Sequence, residues 1–184
     1  TVIQGESQIP RVQMEQNSPI SEISLLPSDA KALPEAMEAI AEADGIIIGP
    51  GSLYTSILPN LILPEISDGI RKSRAKKVYV ANVMTQPGET SGYTLGDHVR
   101  AIARHGGDGL MDAVVVNRTI PPADILERYR QDGSEPVFHT GTSAEIFGIP
   151  VMAGDLLDDS GDYIRHNPHK LADLVIRAIS APDG

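Results

Sequence analysis

Short apolar, β-branched runs open the chain at Thr1-Val2-Ile3, Arg11-Val12-Gln13-Met14 and Ile20 to Leu25, separated by Gly5, Pro10 and Asn17-Ser18-Pro19. This spacing predicts hairpin-like strands, an antiparallel β appendage over residues 1–30. From Pro34 the period changes. Ala36, Met37, Ile40 and Ala41 recur at helical spacing, Pro34 suits the first helical turn and Gly45 its stop. Ile46-Ile47-Ile48 follows, an unbroken β-branched run that predicts a central strand buried on both faces. The alternation then repeats: a helix over Leu63 to Lys72, a strand over Val78 to Val83, a helix over Thr94 to His105, a strand over Ala113 to Asn117 and a helix over Pro121 to Arg130. A short strand at Pro136-Val137-Phe138, an apolar stretch from Ile149 to Leu157 and an amphipathic helix from Pro168 to Ile179 close the pattern. Such a rhythm predicts an α/β fold, a doubly wound, Rossmann-like three-layer sandwich with a mostly parallel sheet over residues 34–184. Its ligand crevices lie at the carboxyl ends of the strands.

At 184 residues the chain is long enough for one domain and too short for two of full size. A hydrophobic share of 41 % with 22 % charged residues is ordinary for a globular chain. The longest apolar run, Ile57 to Leu63, is broken by Pro59 and Asn60, so no segment is expected to span a bilayer. The first residues lack a starting Met and the layout of a signal peptide, which leaves the cytoplasm as the expected location. The absence of cysteine excludes disulfides, thiolate metal sites and cysteine nucleophiles. A formal charge of -10 opposes nucleic acid as a partner. The basic run Arg71 to Lys77 reads either as a nucleotide patch or as the solvated end of a helix, where cations favour the partial negative charge.

Candidate chemistry concentrates after the strands. Gly49-Pro50-Gly51-Ser52, followed by Thr55 and Ser56, has the make-up of a phosphate cradle: glycines let backbone N–H groups approach an anion, and hydroxyls add donors at a helix start. The same residues also read as a tight strand-to-helix turn with Ser52 as the cap. They match neither a Walker loop nor a dinucleotide fingerprint. Asn82, Thr85 and Gln86 follow the next strand and offer neutral hydrogen bonds for sugar hydroxyls or a base edge. Glu89 is either a general base or part of a surface turn. Asn117 and Arg118 follow the third strand. Tyr129 can stack on a base or pack on the surface, and Arg165 can clamp a diphosphate. His166 and His169 lack a third ligand at matching spacing, so no metal is expected.

The strings Ala43-Asp44-Gly45-Ile46 to Ser56, Ala81 to Thr90 and Tyr163-Ile164-Arg165-His166 resemble the YvcK proteins, the gluconeogenesis factors, over nearly the whole chain. That family is related to the phospholactate transferases, which share the Gly-Pro-Gly loop; the chain resembles the transferases less after Asn82. The resemblance implies a regulator without a cofactor. It would bind a UDP-sugar such as UDP-N-acetylglucosamine, supporting carbon metabolism, cell-wall synthesis and cell shape under gluconeogenic growth. It further implies phosphate binding at Gly49, Gly51, Ser52 and Thr55, and nucleotide-sugar contacts at Tyr129 and Arg165. A cell-wall or amino-sugar pathway protein and a second copy of the chain are the expected partners. Members of the family begin with a strand and a Gly-Gly-Gly-Thr-Gly loop that this chain lacks, so the expectation is a fragment of the domain, its first βα half missing. Asn167-Pro168 replaces the Thr that follows the Arg-His pair in members switched by phosphorylation, so no such switch is expected. The alternative is a nucleotide-dependent transferase with Glu89 or Asp155 moving the proton; a third reading is a protein-binding module with ligand as effector.

Overall fold

The computed structural model describes residues 1–141, 143–158, 161 and 163–181. Its centre is a five-stranded sheet in the order β1-β2-β3-β5-β4, formed by β1 (Gly45–Ile48), β2 (Lys76–Val80), β3 (Ala113–Asn117), β4 (Glu145–Ile146) and β5 (Ile149–Gly154). β1, β2, β3 and β5 run parallel; β4 folds back antiparallel on β5, with Ile146 opposite Ile149.

Side chains alternate across the sheet. On one face Ile48, Tyr79, Val114 and Val116 meet Leu58, Leu61, Ile70, Leu95, Val99 and Ile102 in the larger core. Those partners come from α3 (Leu58–Leu61), α4 (Pro64–Lys72) and α5 (Leu95–Gly106), and α2 (Pro34–Glu42) adds Ile40. On the other face Val78, Val80 and Val115 pack against Leu174, Val175 and Ala178 of α7 (Pro168–Ser180). Each Leu or Val so buried stabilises the fold by about 1.5–3 kcal/mol against leaving it in water.

Local signals set the helix starts. Thr94 and Asp97 form a capping box on α5, the Asp97 carboxylate accepting from Thr94 N at 2.8 Å and the Thr94 hydroxyl from Asp97 N at 3.2 Å. The Asn167 side chain accepts from His169 N and Lys170 N, both at 3.1 Å, and Pro168 takes the first position of α7.

Three expectations are corrected. The first residues form no β appendage: among the described residues they carry α1 (Gln8–Gln16) and no strand. Ile9 and Val12, three apart, share one face of a helix, whereas Val12 and Met14, two apart, would share one face of a strand. Pro10 lies in the first turn, where its missing N–H costs nothing, and Asn17 closes the helix in the left-handed conformation at φ 46°. Secondly, β1 lies at the sheet edge, with Ile47 52 % exposed. Thirdly, Pro136-Val137-Phe138 forms only an isolated bridge, Met84 to Pro136. The basic run is in part structural: Arg71 donates to Gly106 O at 2.6 Å and pairs with Asp68, and Lys77 pairs with Asp112 at 3.4 Å. Among the described residues no helix is long and apolar enough to cross a membrane.

Candidate functional site at the carboxyl edge of the sheet

Because four strands are parallel, the segments that leave them, Gly49 to Ser52, Ala81 to Gln86, Asn117 to Pro122 and Asp155 to Leu157, share one edge. At the β1 end Gly49 turns the chain at φ 80°, where a Cβ would lie 2.9 Å from Val80 O, so only glycine fits. Ser52 then opens a π-helical turn, Leu53–Ile57, that runs on into α3.

The turn is held by one loop from the end of β2. Asn82 pairs with Gly51 as a second peptide would, its Oδ1 accepting from Gly51 N at 3.0 Å and its Nδ2 donating to Gly51 O at 2.8 Å. Gln86 Nε2 donates to Ser52 Oγ at 2.9 Å. As the amide fills an acceptor place on that hydroxyl, the Ser52 proton points elsewhere and stays available as a donor. The Glu89 carboxylate accepts from Tyr54 N at 2.9 Å and from the Thr55 hydroxyl at 2.8 Å. At 5 % exposure Glu89 is no surface turn. α1 backs this loop: a Cβ on Gly88, at φ 84°, would stand 2.4 Å from Pro10 O.

Beneath the turn, the Tyr54 and Tyr93 hydroxyls meet at 2.7 Å, and their rings stand edge-on to His105 and His98 respectively. Burial, reinforced by the Tyr93 hydroxyl, pushes the Tyr54 phenol well above its usual range. His98 is fully buried, with Nδ1 2.8 Å from Thr94 O; since a carbonyl only accepts, Nδ1 carries the proton. Desolvation holds its pKa below the usual imidazole value.

At the other end of the edge a cavity of about 260 Å³ opens beyond β3 and β5. Its apolar wall includes Ile120, Pro122, Ile125, Leu157 and Ile164, and its polar pole is Thr119, Asp155 and Lys170. Thr119 Oγ1 donates to Asp155 at 2.8 Å and Lys170 Nζ to the same carboxylate at 3.1 Å; these contacts hold the Asp155 pKa below the usual carboxylate range. Asn117, 1 % exposed, fixes the floor by accepting from Thr119 N and Leu156 N and donating to Thr119 O.

Tyr129, in α6 (Ala123–Gln131), packs with Val83, Met84, Leu126, Leu157 and Ile164, and its hydroxyl accepts from Ile164 N at 3.1 Å. Arg165, next along, is largely exposed and pairs with Asp158 at 2.9 Å. The structure thus gathers the predicted residues in two groups. Gly49, Gly51, Ser52, Thr55 and Asn82 lie together at the β1 and β2 ends, while Tyr129, hydrogen-bonded to Ile164 N, and Arg165, next in the chain after Ile164, both adjoin that residue of the cavity wall. Three strand spacings separate β1 from β5, roughly 14 Å.

Among the described residues no three His, Asp or Glu side chains come together as a metal set. Thr119 and Lys170 escaped the sequence reading; Thr119, two residues past the end of β3, carries the positional signal for such a residue.

The family model described as 2-phospho-L-lactate transferase CofD matches residues 1–157. A putative gluconeogenesis factor of Thermoanaerobacterium thermosulfurigenes is 48 % identical over 175 residues, 95 % of this chain and 54 % of the relative. The gluconeogenesis factor of Bacillus subtilis is 44 % identical over 175 residues, with the same two shares. A crystal structure of a UPF0052-family protein from Bacillus halodurans superposes with a TM-score of 0.88 at 40 % identity, over 96 % of this chain and 55 % of that one. The chain spans about half the length of the relatives it matches. With its parallel sheet and Gly-Pro-Gly loop alongside these likenesses, the chain belongs to the CofD-like family, with the gluconeogenesis factors of the YvcK group as its relatives.

Proposed function

We propose that this chain is the ligand-holding part of a cytoplasmic regulatory protein for a nucleotide sugar, with UDP-N-acetylglucosamine as the first candidate, acting in carbon metabolism, cell-wall synthesis and cell shape under gluconeogenic growth. One observation supports the reading: the parallel strands bring the Gly49 to Ser52 turn and the cavity lined by Thr119, Asp155 and Lys170, with Arg165 beside its Gly161 rim, to one edge of the sheet. A ligand with an anionic part and further polar groups matches that layout. In this reading phosphate packs against Gly51, whose N–H is held by Asn82, and accepts from the free Ser52 hydroxyl proton, while the exposed Arg165 exchanges its pair with Asp158 for ligand oxygens. The edge strand β1 presents an exposed, apolar Ile47, a surface suited to cover by a further element of the full-length protein.

Binding is favoured over transfer because both carboxylates proposed for proton work already have partners, Glu89 two donors and Asp155 a hydroxyl and an ammonium. Calorimetry on the full-length protein is the test. UDP-N-acetylglucosamine should give a saturable heat that Arg165→Ala abolishes while the variant remains folded. No heat with the full-length protein refutes the reading.

A further inference from the structure

The loop from β2 reads the Gly-Pro-Gly turn in order: Asn82 holds Gly51, Gln86 holds Ser52, and Glu89 holds Tyr54 and Thr55. The first two are neutral. Glu89 brings a carboxylate to the opening of the helical segment that begins at Leu53, a place where unpaired amides and their dipoles favour an anion. The two donors it receives, one backbone amide and one hydroxyl, are those a bound oxyanion would take. Nor is the side chain free to leave: Glu89 N and Thr90 N donate to Gln86 O at 3.1 and 2.9 Å, Thr90 Oγ1 accepts from Gln86 N at 2.8 Å, and Thr90 is fully buried. The Pro10 carbonyl closes the far side of Gly88.

We propose that Glu89 is an intramolecular anion, a positioning and specificity residue that fills the donor pair of Tyr54 and Thr55 and so confines a ligand's phosphate to the Ser52 hydroxyl beside Gly51. This inference rests on the phosphate role proposed for the turn. It changes that role at one residue, because the Thr55 hydroxyl serves the protein's own carboxylate and not the ligand's phosphate. It also gives the turn a standing negative charge that opposes loosely held small anions and favours a ligand with further contacts along the edge.

The experiment uses the full-length protein and needs no nucleotide. Thermal melts of wild type, Glu89→Ala and Glu89→Gln are compared in sodium acetate, sodium formate and sodium chloride at equal ionic strength. Glu89→Ala should melt several degrees lower, and acetate and formate, but not chloride, should restore most of the loss while leaving the wild type unmoved. Glu89→Gln can still accept from Tyr54 N and donate to Thr55 Oγ, so it should lose less than Glu89→Ala. With that charge gone, it should bind inorganic phosphate about fivefold more tightly than the wild type. Failure of carboxylates to rescue Glu89→Ala, or phosphate binding by Glu89→Gln no tighter than wild type, overturns the inference. Should Glu89→Ala not fold, the phosphate titration of Glu89→Gln decides alone. If the full-length protein takes no nucleotide sugar while these responses appear, the functional reading fails and the role of Glu89 stands.

Discussion

Replacing Asn82 tests whether the Gly-Pro-Gly turn is built by its neighbour. Asn82→Ala removes the acceptor for Gly51 N and the donor for Gly51 O, leaving both halves of one peptide position without protein partners. An unsatisfied buried polar group costs about 1–3 kcal/mol; as Gly51 is only half-buried, each falls at the low end, for a total of about 2–3 kcal/mol. In a domain of this size that lowers the melting temperature by about 5–10 °C. Asn82→Asp sharpens the test at constant shape. One carboxylate oxygen keeps the bond from Gly51 N, but the other faces Gly51 O, where an amide donor stood 2.8 Å away. That contact disfavours the charged form and raises the folded-state pKa of the new Asp above its unfolded value of about 3.9. The folded state then binds more protons than the unfolded one, so the deficit against the wild type should shrink as pH falls through the raised value. Urea unfolding of the three proteins across the acid range reads both effects. An Asn82→Ala cost below about 0.5 kcal/mol, or a pH-independent Asn82→Asp deficit, refutes the argument.

Two further outcomes concern residues away from the turn. Phe147 and Gly148, at φ 51° and 77°, form a two-residue hairpin between Ile146 and Ile149, a geometry that prefers Asn-Gly. Phe147→Asn should relieve about 1–2 kcal/mol of left-handed strain while losing the contact with Arg100, 5.1 Å from the ring centroid and worth about 0.5–1 kcal/mol, for a net gain of about 0.5–1 kcal/mol in urea unfolding; a net loss sinks this account. His98, with its pKa lowered by burial, contributes stability that is complete above its unfolded value of about 6.5 and is lost as pH falls toward the folded value. Melting temperature against pH should therefore fall on the acid side, and His98→Asn, which can still donate to Thr94 O, should flatten that limb; an unchanged limb excludes His98 as its source.

Where period and caps act within a few residues, the pattern of the chain predicted the elements closely. The Thr94 cap of α5, the Pro168 start of α7 and the bounds of β3 all depend on neighbours in sequence. The first residues failed this reading because Ile9 with Val12 fits a helical period and Val12 with Met14 a strand period, and the close approach of Pro10 to Gly88 belongs to the packed helix. For the candidate site, the Gly49 to Ser52 turn was legible as glycines and hydroxyls after a β-branched run. The role of Glu89 was not, because Gln86-Pro87-Gly88-Glu89 reads as a surface turn until the residue it answers, 35 positions earlier, is known.

By itself the sequence determined the α/β alternation, the parallel sheet that follows from helical crossovers, and the residue types offered at each strand end, since these rest on local period and turn chemistry. Only the tertiary structure decided that β1 lies at an edge, that Asn82 and Glu89 hold the turn, and that Thr119, Asp155 and Lys170 form the polar pole of a cavity. The physical reason is range. A period or a cap is satisfied within a turn or two of chain, whereas a hydrogen bond between residues 31 to 36 positions apart exists only after packing has fixed the distance between their strands.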